Sequence, residues 1–138
     1  MTFNRPIVID SGVLVSAAIR PQSVPGLALQ KARLHYEMCA LEATFVELQD
    51  VLSRSKFDRY ALANTRQAFV NGLLLHVRLV DAAHVVNGCS DLKGNKFLAL
   101  PLTVSAELMV ASDPHLTVMH PWRGIPILPP AAFLVGVQ

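Results

Sequence analysis

Ile7-Val8-Ile9 is a run of three β-branched residues that ends in an acid, Asp10. A strand that meets water on one face alternates apolar and polar residues. A run without alternation buries both faces, as strands do in parallel sheets covered by helices on each side. Further strand candidates stand at Tyr36–Ala40, Arg78–Val80, Leu108–Val110 and Ile125–Leu128, and between them the apolar spacing turns helical. Strands alternating with helical segments along the whole chain predict an α/β fold: a three-layer α/β/α sandwich on a mostly parallel sheet of roughly five strands.

Helices are expected at Val13–Ile19 after the break at Ser11-Gly12, and from Pro25, which suits a first helical turn, to about His35. Leu41, Phe45, Leu48 and Leu52 keep helical spacing across Leu41–Ser53, and Lys56–Tyr60 reads as one more helical turn. Asn64 reads as the cap of an amphipathic helix carrying Ala68, Phe69, Leu73 and Leu75. His84–Gly94 reads as a loop. Asn95 reads as the N-cap of a helix from Lys96 to about Val104, and Pro101 within it predicts a kink or an early stop. Ala131–Val135 is expected to form a last helical turn.

The length, 138 residues, suits a single domain spanning 1–138, with no repeat and no low-complexity tract. A hydrophobic fraction of 52% against 16% charged residues points to two-sided strands or to a surface that meets a partner. Leu73–Leu75 with Ala17, Ala18 and Ile19 fit either a homodimer or partner face or ordinary core. Cys39 and Cys89 lack metal or disulfide spacing and read as thiols in a reducing compartment. The start of the chain has no signal-like segment. Ile125–Gln138, the longest uncharged stretch, holds three prolines and is too short to span a bilayer, so a cytoplasmic protein without a membrane role is expected.

Ligands of open parallel sheets bind at the carboxyl ends of the strands. Asp10 follows the first strand candidate and Asp113 the fourth, and these two strands are often neighbours where the strand order reverses. Two carboxylates meeting there repel one another, and a hard divalent cation such as Mg²⁺ or Mn²⁺ relieves the repulsion. The plain alternative is that both acids cap helices. A net charge of +2 is too mild to signal nucleic-acid binding by itself. Arg54, Lys56, Arg59, Arg66 and Arg78 form a basic bias that suits a phosphate-binding face or, more simply, a solvated surface. His115 and His120 flank the exit of the fourth strand without a spacing that specifies a metal geometry, and Trp122 is expected to pack the loop before the last strand. No P-loop and no GxGxxG fingerprint is present.

Five blocks carry a resemblance. IVIDSGVLVS at Ile7–Ser16 resembles the opening of PIN domains, Asp-Thr-Asn-Val-Leu-Val-Ser. ELQDVLSRSKF at Glu47–Phe57 and SDLKGNKFLAL at Ser90–Leu100 are similar to segments of a bacterial, VapC-like PIN subgroup of toxin components from toxin–antitoxin systems. LMVASDPHL at Leu108–Leu116 resembles the strand leading into Thr-Gly-Asp-x-Asp-Leu, and RGIPILPPAAF at Arg123–Phe133 resembles the family's closing segment. The resemblance implies a three-layer fold with an acidic pocket that holds Mg²⁺ or Mn²⁺ for hydrolysis of an RNA phosphodiester, RNA as substrate, and a protein antitoxin as partner.

Carried onto this chain, the resemblance makes Asp10, Glu47 and Asp113 the first, second and fourth family acids. Asn95 stands where the third is expected, and Asp91 matches an additional acid. Asp10, Glu47, Asp91 and Asp113 are then the implied metal ligands; Asp10, Glu47, Asn95 and Asp113 the implied catalytic set; and Ser11, Gly12, Lys96 and His115 line the site. Ser11 and Gly12 replace Thr and Asn, His115 replaces an aspartate, and Lys93 and Gly94 stand where acids are frequent. Asn95 offers a neutral oxygen but removes one negative charge, so weakened metal affinity is expected. The competing expectation is a degenerate PIN domain, weak or inactive in catalysis, that binds protein or RNA.

Overall fold

The computed structural model describes residues 5–81 and 95–136, the side chains of 95–97 excepted. The expected loop, with Asp91, Lys93 and Cys89, lies outside the described residues, as do the side chains of Asn95 and Lys96.

Five strands form one sheet: β1 (Pro6–Ile9), β2 (Glu37–Leu41), β3 (Val77–Val80), β4 (Leu108–Val110) and β5 (Ile127–Leu128). Their order is β3-β2-β1-β4-β5, and every pairing is parallel. Ile7 stands opposite Met38 on one side and Leu108 on the other. The order reverses between β1 and β4, so the switch point falls where the sequence places Asp10 and Asp113.

The side chains of β1 sort by parity. Ile7 and Ile9 join one core with Met38, Ala40, Leu108 and Val110. That core is covered by α1 (Ser11–Ile19), α2 (Val24–His35), α3 (Glu42–Leu52), α4 (Ala63–Leu74) and α7 (Pro130–Gly136). Val8 joins the opposite core with Cys39, Leu41, Met109 and Ile127, against Leu100 of α5 (Asn95–Thr103) and Leu116 of α6 (Pro114–Thr117). The sandwich therefore has three layers, with five helices of the described residues on one face and two on the other. Among the described residues, no helix is long and apolar enough to cross a membrane.

Several local expectations are corrected. Asn64 does not cap α4: the cap position is Leu62, which makes no side-chain capping bond. In the first turn of the helix stands Arg66, a fully buried residue whose guanidinium binds backbone carbonyls of the preceding segment. Arg66 therefore leaves the basic surface in which its charge had placed it. The turn expected at Lys56–Tyr60 is a 3₁₀ turn at Ser55–Phe57. β5 is shorter than expected, because Ile125 pairs with Trp122 across a tight turn whose central residues, Arg123 and Gly124, have φ of 48° and 84°. Positive φ at both centres is what the type I′ two-residue turn requires. Pro101 is accommodated near the end of α5, which stops at Thr103. The described part of α5 begins at Asn95, and the residues before it, on which its expected N-cap role depends, lie outside the described residues.

The two open readings of the apolar segment divide residue by residue. Ala17, Ala18 and Leu73 are core, whereas Leu75 is 81% exposed. Cys39 is buried, and burial with the nearby Glu37 pushes its thiol pKa up to about 11, as suits an inert structural thiol.

Candidate functional site

Asp10 leaves the carboxyl end of the central strand and is the N-cap of α1. Its backbone N–H donates to the Val110 carbonyl at 3.0 Å, which ties it to β4. Its side chain accepts three backbone hydrogen bonds: Oδ1 from Val13 at 2.8 Å, and Oδ2 from Ser112 at 3.0 Å and Asp113 at 3.4 Å. Only 5% of Asp10 is exposed. Burial raises its pKa above the ordinary aspartate value; the three N–H donors oppose that shift, and the nearby Asp113 carboxylate adds to it.

Asp113 is itself the N-cap of α6, its Oδ1 accepting from the His115 N–H at 2.9 Å. Both acids therefore cap helices, as the plain reading had it, and both also stand at the switch point. The two roles are compatible, because a carboxylate has about four acceptor positions and a cap uses one or two.

Glu47 is exposed on α3 and faces α1 across a groove of about 260 Å3 lined by Ser11, Gly12, Val15, Glu47, Leu48 and Val51. His115 is exposed in the first turn of α6. His120 has a structural task, its Nδ1 accepting from the Ile127 N–H at 2.9 Å. Trp122 packs as expected and donates from Nε1 to the Leu98 carbonyl at 2.9 Å.

Ser112 is a neighbour of the site that the sequence reading passed over. A Cβ added at Gly12 would lie 2.9 Å from Ser112 Oγ and 3.6 Å from Asp10 Oδ1. The serine hydroxyl thus fills the space a side chain at position 12 would need. The signal was in the motifs: Gly12 stands where the resemblance has Asn, and Ser112 stands where it has Gly. The two departing positions meet across the pocket.

The donor set tests whether a metal ion fits. Asp10 and Asp113 adjoin and Glu47 lies across the groove, but among the described residues no group of three or more His, Cys, Asp or Glu side chains could hold a metal ion. Three of the roughly four acceptor positions of Asp10 already receive backbone donors. The described donors therefore fall short of a complete cation site.

No family model matches the chain, and no curated protein matches it. Among solved structures, a chain of the VapBC2 assembly of Rickettsia felis, crystallised bound to a DNA fragment from its promoter, aligns with 88% of this chain and 96% of its own. The TM-score is 0.57 and the sequence identity 10%. The likeness is one of fold, and it agrees with the three-layer architecture that the five sequence blocks implied.

Proposed function

We propose that the chain is a metal-dependent ribonuclease of the PIN type, the toxin component of a cytoplasmic toxin–antitoxin pair, with RNA as substrate and a protein antitoxin as partner. The observation that carries this reading is the pair Asp10 and Asp113 at the β1/β4 switch point, one buried and fixed by three N–H donors, the other anchored through one oxygen. Asp10 and Asp113 would supply only part of a Mg²⁺ or Mn²⁺ site, which Glu47, Asp91 and Asn95 would have to complete. Such a cation, when bound, activates water and shields the charge growing on a phosphoryl oxygen. The chain's own contribution is orientation: Asp10 is held by Val13, Ser112 and Asp113, and Glu47 faces the first turn of α1 from the next helix but one.

A second reading, a PIN-type module that binds without cutting, is favoured by the incomplete donor set among the described residues and by Asn95 in place of an acid. An apolar groove of about 410 Å3, lined in part by Leu29, Leu34, Phe69 and Leu73, suits a protein partner or a second copy of the chain in either case.

Calorimetric titration of the metal-free protein with Mn²⁺, with Asp10→Ala as control, separates the two. The ribonuclease reading expects Asp10-dependent binding with a Kd between about 1 μM and about 1 mM. Absence of Asp10-dependent heat up to about 10 mM, where binding is worth under about 3 kcal/mol, sinks it and leaves the module.

A further inference from the structure

We infer that the segment 53–62 between α3 and α4, together with Arg20, is a surface that holds single-stranded RNA and continues the groove leaving Asp10. The choice of RNA rests on the ribonuclease reading. The surface itself rests on four observations about charge, ring exposure, rigidity and place.

Place comes first. The groove beside the site runs between α1 and α3, with Val15 and Val51 each one helical turn beyond Ser11 and Glu47. Arg20 is the C-cap of α1, and Ser53 the C-cap of α3. The segment therefore lies at the far mouth of the groove, about 14 Å from Asp10 along a nine-residue helix, within reach of a short oligonucleotide.

Charge is concentrated there. Arg20, Arg54, Lys56 and Arg59 are exposed, in a chain whose net charge is only +2. The neighbouring acids are engaged: Asp50 with Arg54 at 3.0 Å, and Asp58 with the buried Arg66 at 2.9 Å.

The rings are placed for stacking. Tyr60 is 48% exposed, and the guanidinium groups of Arg20 and Arg59 stand over its ring, 5.4 and 5.5 Å from the centroid. Lys56 stands 5.2 Å from the Phe57 ring. An exposed tyrosine with guanidinium groups over it offers stacking planes, ring and guanidinium, together with charge for phosphates, without reading sequence.

The segment is also held rigid. Arg66 donates to the carbonyls of Leu52 at 2.7 Å, Arg54 at 3.2 Å and Ala61. An irregular surface loop is usually left loose. Here a fully buried guanidinium holds its backbone, so the backbone that carries Tyr60, Lys56 and Arg59 is in place before a ligand arrives, which lowers the entropy cost of binding.

The test is fluorescence anisotropy of a labelled 12-nucleotide oligouridine with the full chain, at low salt and in EDTA so that no cleavage is needed. The variants are Tyr60→Ala and the double variant Lys56→Ala/Arg59→Ala. Arg78→Ala is the control, an exposed cation on β3 paired with Glu37. Unchanged urea midpoints establish that the variants fold. Tyr60→Ala is expected to weaken binding about tenfold. The double variant is expected to flatten the slope of log affinity against log salt by about 1.4, and Arg78→Ala to leave both unchanged. Failure of the wild type to bind, wild-type behaviour of both loop variants, or equal loss in Arg78→Ala each overturns the assignment. Loop-dependent binding without Asp10-dependent Mn²⁺ binding removes the ribonuclease reading and keeps the surface. Asp10-dependent Mn²⁺ binding without loop dependence does the reverse.

Discussion

Asp10 carries the conflict between stability and chemistry at the scale of one residue. Its carboxylate is desolvated beside Asp113, and three N–H donors offset only part of that cost, so its folded pKa lies above the ordinary value. The folded state thus holds a proton on Asp10 at pH values where the unfolded chain has released it. Its stabilising share is fully present below the ordinary unfolded value and is lost as pH rises through the raised folded value. In metal-free protein, wild type should gain stability relative to the non-titrating Asp10→Asn as pH is lowered through that window. Urea unfolding of the two proteins at several pH values between about 4 and 8 reads the difference, and a flat or opposite trend contradicts the burial argument. Asp10 and Asp113 were legible because each ends an apolar run. Ser112 was not, because its meaning depends on the glycine 100 positions away that leaves room for its hydroxyl, a contact that no local pattern carries.

At the scale of elements, the strands and long helices were legible because period-two and helical spacings are repeated signals. The failures fall where a tertiary contact decides. α6 is four residues long and too short to show a period. The capping chemistry of Asn64 predicts α4 to start two residues later than it does, and the buried guanidinium of Arg66 in its first turn is what no spacing shows. A sequence shows that Arg66 is charged; it does not show that the charge lies at 0% exposure with backbone carbonyls around it. Removing such a group leaves buried acceptors unpaired, so Arg66→Ala should cost about 3–5 kcal/mol in urea unfolding. Asp58, its ion-pair partner, has a side chain 58% exposed to solvent, and Asp58→Ala should cost under about 1 kcal/mol. Comparable losses in the two variants would mean that the ion pair, not the carbonyl contacts, holds the segment.

At the scale of the whole molecule, the site is attached to the part of the sheet that opens last. β1 is paired on both sides, by β2 and β4, and its residues are buried on both faces. The edges differ: β3 exposes Arg78 and Leu79, and β5 is two residues long, with the Ile127 N–H bonded to a histidine ring rather than to a strand. Edge elements open in local fluctuations, whereas a doubly paired central strand opens only when the sheet does. The Asp10 amide, bonded to Val110, belongs to that central unit although its carboxylate faces the site. Native-state hydrogen exchange should therefore give Asp10 an opening free energy close to that of global unfolding, with Leu79 and Ile127 well below it. This gradient follows from the strand order β3-β2-β1-β4-β5, of which the sequence offered only the expected adjacency of the first and fourth strands. If Asp10 exchanges as fast as Ile127, the carboxylate stands on a fraying edge, and the rigid orientation on which its proposed role depends is lost.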